Sequence, residues 1–372
     1  MFVNSKKIAK IIEGIAPIKT AESWDNVGFQ IGNKHLEIDR VMVALEVTQE
    51  VLEEAIKKNI DLIVTHHPLI FSDLKQLTSD DPVQNMVMEM IKNNINLYVA
   101  HTNLDASKKG TNYHLANLLD LKRIDALDEK TLSDYYKLSV FVPKDSAEKL
   151  REVLFNYGAG VLGNYDHASF NTDGIGTFRP LEDSNPVIGE KDEESHVNEV
   201  KIEVIVNDDH LNFVVEKMLN NHPYETVAYD VVKLENLKDN YSIGLTGYLE
   251  KGMTLDALAN DVKEKFNIDQ LKIVRSNDKT IRKIALCSGA GSDYITLASQ
   301  MGCKCLITGD IKYHEAQLAK QLGLNLIDAG HFETENIYTT YLKEFLSNRC
   351  KNKGYDIKII ESESIMNPFE YQ

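Results

Sequence analysis

The chain has 372 residues, 43% of them hydrophobic and 26% charged, which suits a folded protein of about two or three domains and excludes wholesale disorder. Its formal charge of −16 argues against tight, sequence-independent binding of nucleic acid, whose energy comes from lysine and arginine neutralising phosphates. No stretch approaches the ~18 apolar residues of a membrane span, Lys6, Lys7, Lys10 and Glu13 interrupt any signal-peptide core, and four cysteines are too few for a disulfide framework, so a cytoplasmic protein is expected.

Residues 1–126 alternate strand and helix. An apolar strand is predicted over 41–47, a helix capped by Thr48 and running through Lys58, a strand over 61–65, a helix over 82–94 and a strand over 96–100. This order predicts parallel neighbours with right-handed crossovers, and ligands gather at the carboxyl ends of such strands. Residues 127–240 carry a different signature, an internal repeat in which 137–145 aligns with 201–209, Leu150 with Val214 and Asn156 with Asn220. Two strand–helix units and a strand over 227–232 predict an inserted ferredoxin-like, split βαβ domain, with 158–176 and 189–194 as its loops. Residues 241–372 return to the first style. Strands are expected over 284–288, 303–308, 324–329 and 356–360, with helices ending near Met301, over 311–321 and over 332–348. Cys303 and Cys305 read as a buried structural pair. The predicted fold class is α/β, two lobes (1–126 and 241–372) forming one body around a cleft, with the ferredoxin-like domain inserted.

Three strand ends carry chemistry. His66 and His67 follow the strand 61–65, which Pro68 stops by removing a donor. Adjacent side chains on a strand diverge, so one ion could not easily take both imidazoles, whereas two ions side by side could take one each. Alone, the pair reads equally well as a loop or as satisfied buried histidines. Asp105 lies just beyond the strand ending at Ala100, and its ordinary role there is a turn or a helix cap; sharing an edge with the histidine pair brings a ligand role level. His101 suits a ligand, a general acid or base, or a partner behind a ligand. His331 and Glu335 are four apart at a helix start and project from one face, although Glu335, like Glu333, could merely complement the positive helix N-terminus.

With His101 set apart, His66, His67 and His331 with Asp105 and Glu335 make three histidines and two carboxylates. The mixed nitrogen and oxygen set suits Zn first, then Mn or Fe. Two ions about 3.5–4 Å apart need a bridge such as Glu335 and would acidify water, which favours hydrolysis. Trp24 reads as core rather than as a stacking platform, and Asp25-Asn26 as a turn; Trp24 and Asp25 are kept as candidate substrate contacts. Asp310 reads as a helix cap, with His314 able to reach the site, and both are kept with His101 as candidate partners behind the ligands or acid–base groups. Gly289-Ala290-Gly291 is a weak phosphate-loop signal, because the Walker lysine is missing.

The motifs Trp24-Asp25-Asn26-Val27-Gly28, His66-His67-Pro68, the run from His101 to Asp105, the run from Thr308 to His314 and the run from Gly330 to Glu335 closely resemble the Nif-three-like family, catalogued as GTP cyclohydrolase 1 type 2 homologues, over nearly the whole chain. The middle segment, with Gly163-Asn164-Tyr165-Asp166, Gly176-Thr177-Phe178-Arg179-Pro180 and His222-Pro223-Tyr224-Glu225, looks like the PII-like or CutA-like insert of longer bacterial members. The resemblance implies two divalent ions per chain on His66, His67, Asp105, His331 and Glu335, with Glu335 bridging. It also implies a toroidal homohexamer with its metal sites facing inward. Glu46 departs from the pattern, standing where Asp is expected. The activity implied is metal-dependent hydrolysis of a nucleotide such as GTP. The alternative is a non-catalytic metal-binding hexamer in metal handling or regulation, and a transcription-linked role is opposed by the charge.

Overall fold

The structure, a computed structural model, describes residues 3–364 and 367–370. The chain divides into two compact units: one takes the described residues up to Lys130 and from Tyr241 onward, the other Thr131–Asn240. No described helix is long and apolar enough to cross a membrane.

The first sheet of the larger unit orders its strands Gly28–Ile31, Asn96–Val99, Leu62–Thr65, Arg40–Ala44 and Lys358–Glu361. All neighbours are parallel except Gly28–Ile31, which runs antiparallel to Asn96–Val99. The three inner strands are buried along their length apart from Arg40, because both of their faces are covered. Val41, Val43, Leu62 and Val64 face the helix Ser5–Glu13 and the long helix His331–Asn352 through Ile8, Ile12, Tyr338, Leu342 and Leu346. Met42, Ala44, Ile63, Leu97 and Val99 face the other way, packing with Val51, Leu52 and Met90 of the helices Gln49–Lys57 and Pro82–Lys92. The first of these helices starts at Thr48, which accepts from Val51 N at 3.3 Å, and the second at Asp81, which accepts from Gln84 N at 2.9 Å with Pro82 behind it.

The second sheet orders Lys272–Val274, Asn325–Asp328, Cys305–Gly309, Ile281–Ala290, Leu245–Met253 and Lys122–Ala126, with the three strands from Asn325–Asp328 to Ile281–Ala290 parallel. The closing strand, Lys358–Glu361, therefore lies in the first sheet, where Ile359 packs on one face and Ile360 on the other. Lys122–Ala126 lies in the second sheet. The carboxyl ends of both parallel sets meet the first turn of the long helix, which leaves the strand Asn325–Asp328 through Gly330.

The smaller unit is a four-stranded sheet in the order Ser169–Phe178, Ser195–Asn207, Lys130–Pro143, Tyr229–Tyr241, with helices Ala147–Asn156 and Asp208–Asn221. Leu138, Val140 and Val142 alternate along one strand, Ile202, Val204 and Val206 along its antiparallel neighbour, and both sets pack on Leu150, Leu154, Val214 and Met218. The stretch expected to be a loop, 158–176, contains most of the strand Ser169–Phe178. None of its residues is buried and most are exposed, so it lacks the apolar alternation that marks a half-buried strand.

Candidate metal centre

The strand Leu62–Thr65 ends directly before His66, and Asn96–Val99 ends with Ala100 still to come before His101, so His66, His67 and His101 sit in the turns that follow. His66 N and His67 N both donate to Leu45 O, at 3.0 and 2.8 Å, which folds the backbone out of strand geometry. The two rings therefore lie side by side, 5.3 Å apart and tilted by 38°; they do not diverge as strand neighbours would. Both aim at Glu335. His67 Nε2 is 2.8 Å and His331 Nε2 3.0 Å from Glu335 Oε2, while His66 Nε2 is 3.7 Å from Oε1 and 3.5 Å from Asp105 Oδ1. Spacing by four at the helix start does place His331 and Glu335 on one face.

Each ring is held from behind. His66 Nδ1 donates to Ala100 O at 2.9 Å, His101 Nδ1 to Asp25 Oδ1 at 2.9 Å and His331 Nδ1 to Asp310 Oδ2 at 2.8 Å, while Glu46 Oε2 stands 3.7 Å from His67 Nδ1. Acceptors on Nδ1 fix the tautomer that turns the Nε2 lone pair inward, the arrangement that orients imidazole toward a cation. His66 Nε2 is buried and has no hydrogen-bond partner, although two carboxylate oxygens face it. A lone pair opposite carboxylate oxygens is stable only with a cation or proton between them. Histidine and carboxylate atoms fall into two groups able to hold an ion, His66 with His67 and His101, and His67 with His331 and Glu335. The donor set therefore fits a divalent metal.

Electrostatics point the same way. Burial disfavours the charged rings of His66 and His67, yet the neighbouring carboxylates raise both, His67 to about 10. The bond to Glu335 raises His331 to about 9 against the effect of burial. Burial would raise Glu335, but His331, His66 and His67 hold it well below the usual range, while Asp105 is raised by burial and by Glu335. An ensemble of positive charge is being demanded by buried carboxylates.

A family model described as Duf34/NIF3 (NGG1p interacting factor 3) matches residues 3–368. The chain belongs to the DUF34/NIF3 family. It is 37% identical over 99% of both chains to a protein of Bacillus subtilis named GTP cyclohydrolase 1 type 2 homolog. The solved structure of a Bacillus cereus protein related to NIF3 superposes with a TM-score of 0.87 at 35% identity over 100% of both chains. A Staphylococcus aureus structure does so with 0.82 at 32%, covering 100% of this chain and 99% of that one. The mixed α/β architecture with several sheets is that of the DUF34/NIF3 fold.

Several residues of this DUF34/NIF3 chain do not sit as the sequence suggested. Trp24 is no core residue: it is 57% exposed, with its ring 5.8 Å from the equally exposed Phe71 and 6.1 Å from His101. Asp25 is fully enclosed and spends both oxygens on His101 and on Thr102 N and Oγ1, so it orients His101 and cannot serve a substrate. Burial opposes its charge, but these bonds lower its pKa. Asp310 caps no helix. Lys312 is the N-cap of Tyr313–Leu322, with its N–H donating to Glu315, and Asp310 turns back to His331 with φ +57. His314 is exposed beside Tyr313 and belongs to neither group of candidate ligands. Gly289-Ala290-Gly291 cradles no phosphate turn: Gly289 lies against the carboxylate, and a Cβ there would stand 2.2 Å from Glu335 Oε1 and 3.2 Å from His331 Nε2. Ser288, whose Oγ donates to Asp105 Oδ1 at 3.3 Å, had no signal in the sequence beyond its place near a strand end, and Asn112, which accepts from Ser288 N at 2.7 Å from the first turn of the helix Thr111–Leu118, had none.

Proposed function

We propose that the protein is a dinuclear divalent-metal hydrolase acting on a nucleotide, in the manner of a GTP cyclohydrolase type 2-like enzyme. The observation that carries this reading is the orphaned His66 Nε2, which faces the same Glu335 carboxylate as the imidazoles of His67 and His331. One ion would be held by His66, Asp105 and Glu335 Oε1, the other by His67, His331 and Glu335 Oε2, so that Glu335 joins the two. His101, oriented by Asp25, faces the same space and is placed to ligate or to move a proton. Bound divalent ions would supply Lewis acidity and water activation near neutral pH, with Zn the first choice over Mn or Fe. The exposed ring of Trp24, beside His101 and tilted by 39° to that of Phe71, offers an aromatic face on which a purine could stack. We further place the chain in a cytoplasmic homohexamer, with 131–240 as a PII/CutA-like, ferredoxin-like insert.

A second reading, a metal-binding protein without turnover, has one observation in its favour. The cavity of about 510 Å³ beside His67 and His331 is lined by Glu46, Asp310, Asp328 and Glu333 against the single lysine Lys272, which pairs with Asp328 at 2.8 Å. Carboxylates around an entrance attract cations and repel polyphosphates. Zinc-loaded protein incubated with GTP decides between them: formate and a ring-opened product, lost in Glu335→Gln, support the hydrolase, whereas identical traces for both proteins with exchangeable metal leave only the second reading.

A further inference from the structure

The Thr131–Asn240 unit contains a cavity of its own, about 360 Å³, within the size range of small-molecule sites. Its walls are mostly apolar, with Phe141, Phe178, Pro186 and Val187 among them, and its only charged groups are the carboxylates of Glu199 and Glu225. Glu199 is 9% exposed. Its Oε1 accepts from Tyr224 Oη at 2.7 Å, and among the described residues no Lys, Arg or His forms an ion pair with it. His222, close enough to feel its charge, is not the missing cation: Nε2 donates to Phe141 O at 2.9 Å, Nδ1 accepts from Tyr224 N at 3.0 Å, and burial lowers its pKa. A buried carboxylate with one phenol for company is costly unless something positive meets it.

The surroundings are shaped for that group. Gly176 lies against it, and a Cβ at this position would stand 2.1 Å from Glu199 Oε2, so any side chain there would drive the carboxylate from its place. Above it, Glu225 Oε2 accepts from Asn185 N at 2.9 Å and ties down the loop that carries Pro186 and Val187. Phe178 and Tyr224 stand edge to face, with centroids 5.8 Å apart.

We propose that this cavity binds a small organic cation, a primary ammonium on an aryl or alkyl body, with Glu199 meeting the charge and Phe141, Phe178 and Tyr224 enclosing the body. Aromatic faces beside a carboxylate favour ammonium ions over neutral or anionic analogues. An anion finds no Lys or Arg on the lining. A divalent metal needs more oxygen donors than one carboxylate and one phenol supply.

Calorimetry on the full chain, with chelator present so that the metal centre plays no part, tests this with three matched probes. Phenethylamine is expected to bind saturably, with 2-phenylethanol and 3-phenylpropanoate weaker by about tenfold or more. Glu199→Gln should weaken phenethylamine by about tenfold, while Tyr224→Phe, which keeps the charge, stays within about threefold. Val187→Trp fills the cavity from a position that is 66% exposed, so it tests the site without disturbing the core and should abolish binding. Equal affinity for the alcohol, phenethylamine binding unchanged in Glu199→Gln or Val187→Trp, or no saturable binding at millimolar amine would overturn the proposal.

Discussion

Gly289→Ala is the sharpest perturbation of the candidate metal centre, because it replaces none of the candidate ligands and adds one methyl group. Gly289 has φ +58, so an alanine first incurs the left-handed strain of about 1 kcal/mol. The larger effect is steric. Its Cβ would stand 2.2 Å from Glu335 Oε1, and restoring ordinary contact requires the carboxylate to retreat by roughly 1 Å. Glu335 is buried at 5% exposure and is gripped by His67 and His331, so the displacement is transmitted to every ion it would share. Sites of this kind tolerate about 0.5 Å, so affinity for zinc should fall by about 100-fold, close to 2.7 kcal/mol. Chelator competition measures it. Gly302→Ala supplies the control, with the same class of backbone strain at φ +77 but nothing within 4 Å of the new methyl. Retention of two zinc ions by Gly289→Ala with affinity within threefold of the parent would refute the geometry assigned to Glu335.

Removing the acceptors behind the imidazoles should loosen metal without unfolding the chain: Asp25→Ala and Asp310→Ala are each expected to cost about 10–100-fold in zinc affinity at unchanged far-UV circular dichroism. Full affinity in Asp25→Ala would remove His101 from the centre. In metal-free protein, His67 and His331 have pKa values raised from 6.5 to about 10 and about 9, so the stability they confer is complete below pH ~6.5 and is lost as pH rises through 9–10. Urea midpoints at pH 6, 8 and 10 should therefore fall with chelator and hold steady with zinc, and a flat metal-free profile would contradict the shifts. Glu54 gathers Lys58 Nζ, Ser362 Oγ, Ser364 Oγ and Glu363 N, which opposes its burial and lowers its pKa from 4.5 to about 2. Its contribution is present above pH ~4.5 and lost as pH falls toward 2. Glu54→Gln should cost about 1–3 kcal/mol at pH 7 and flatten the acid limb of a urea titration, and an unaltered acid limb would show that it does not anchor the segment after Lys358–Glu361.

The sequence by itself determined the alternation of strand and helix and the edge at which chemistry would collect. Periodicity and caps are local: Thr48 binds the N–H three residues on whatever the rest of the chain does. It also determined which residues deserved attention, since His66, His67, His101, Asp105, His331 and Glu335 all follow strands, and membership of the DUF34/NIF3 family was written in their motifs. Tertiary structure decided what local pattern cannot encode. Trp24 is a large aromatic of the kind usually buried and is still exposed, because burial depends on which elements arrive to cover it. Asp25 and Asp310 looked like turn and cap residues, as aspartates near glycine and helix starts usually do. Each is instead spent on an imidazole 76 or 21 residues away. The closing strand joins the first sheet because Ile359 and Ile360 complete two cores on opposite faces. Gly289 owes its importance to one oxygen atom of Glu335, and contact across that sequence separation exists only once both sheets have packed against the long helix.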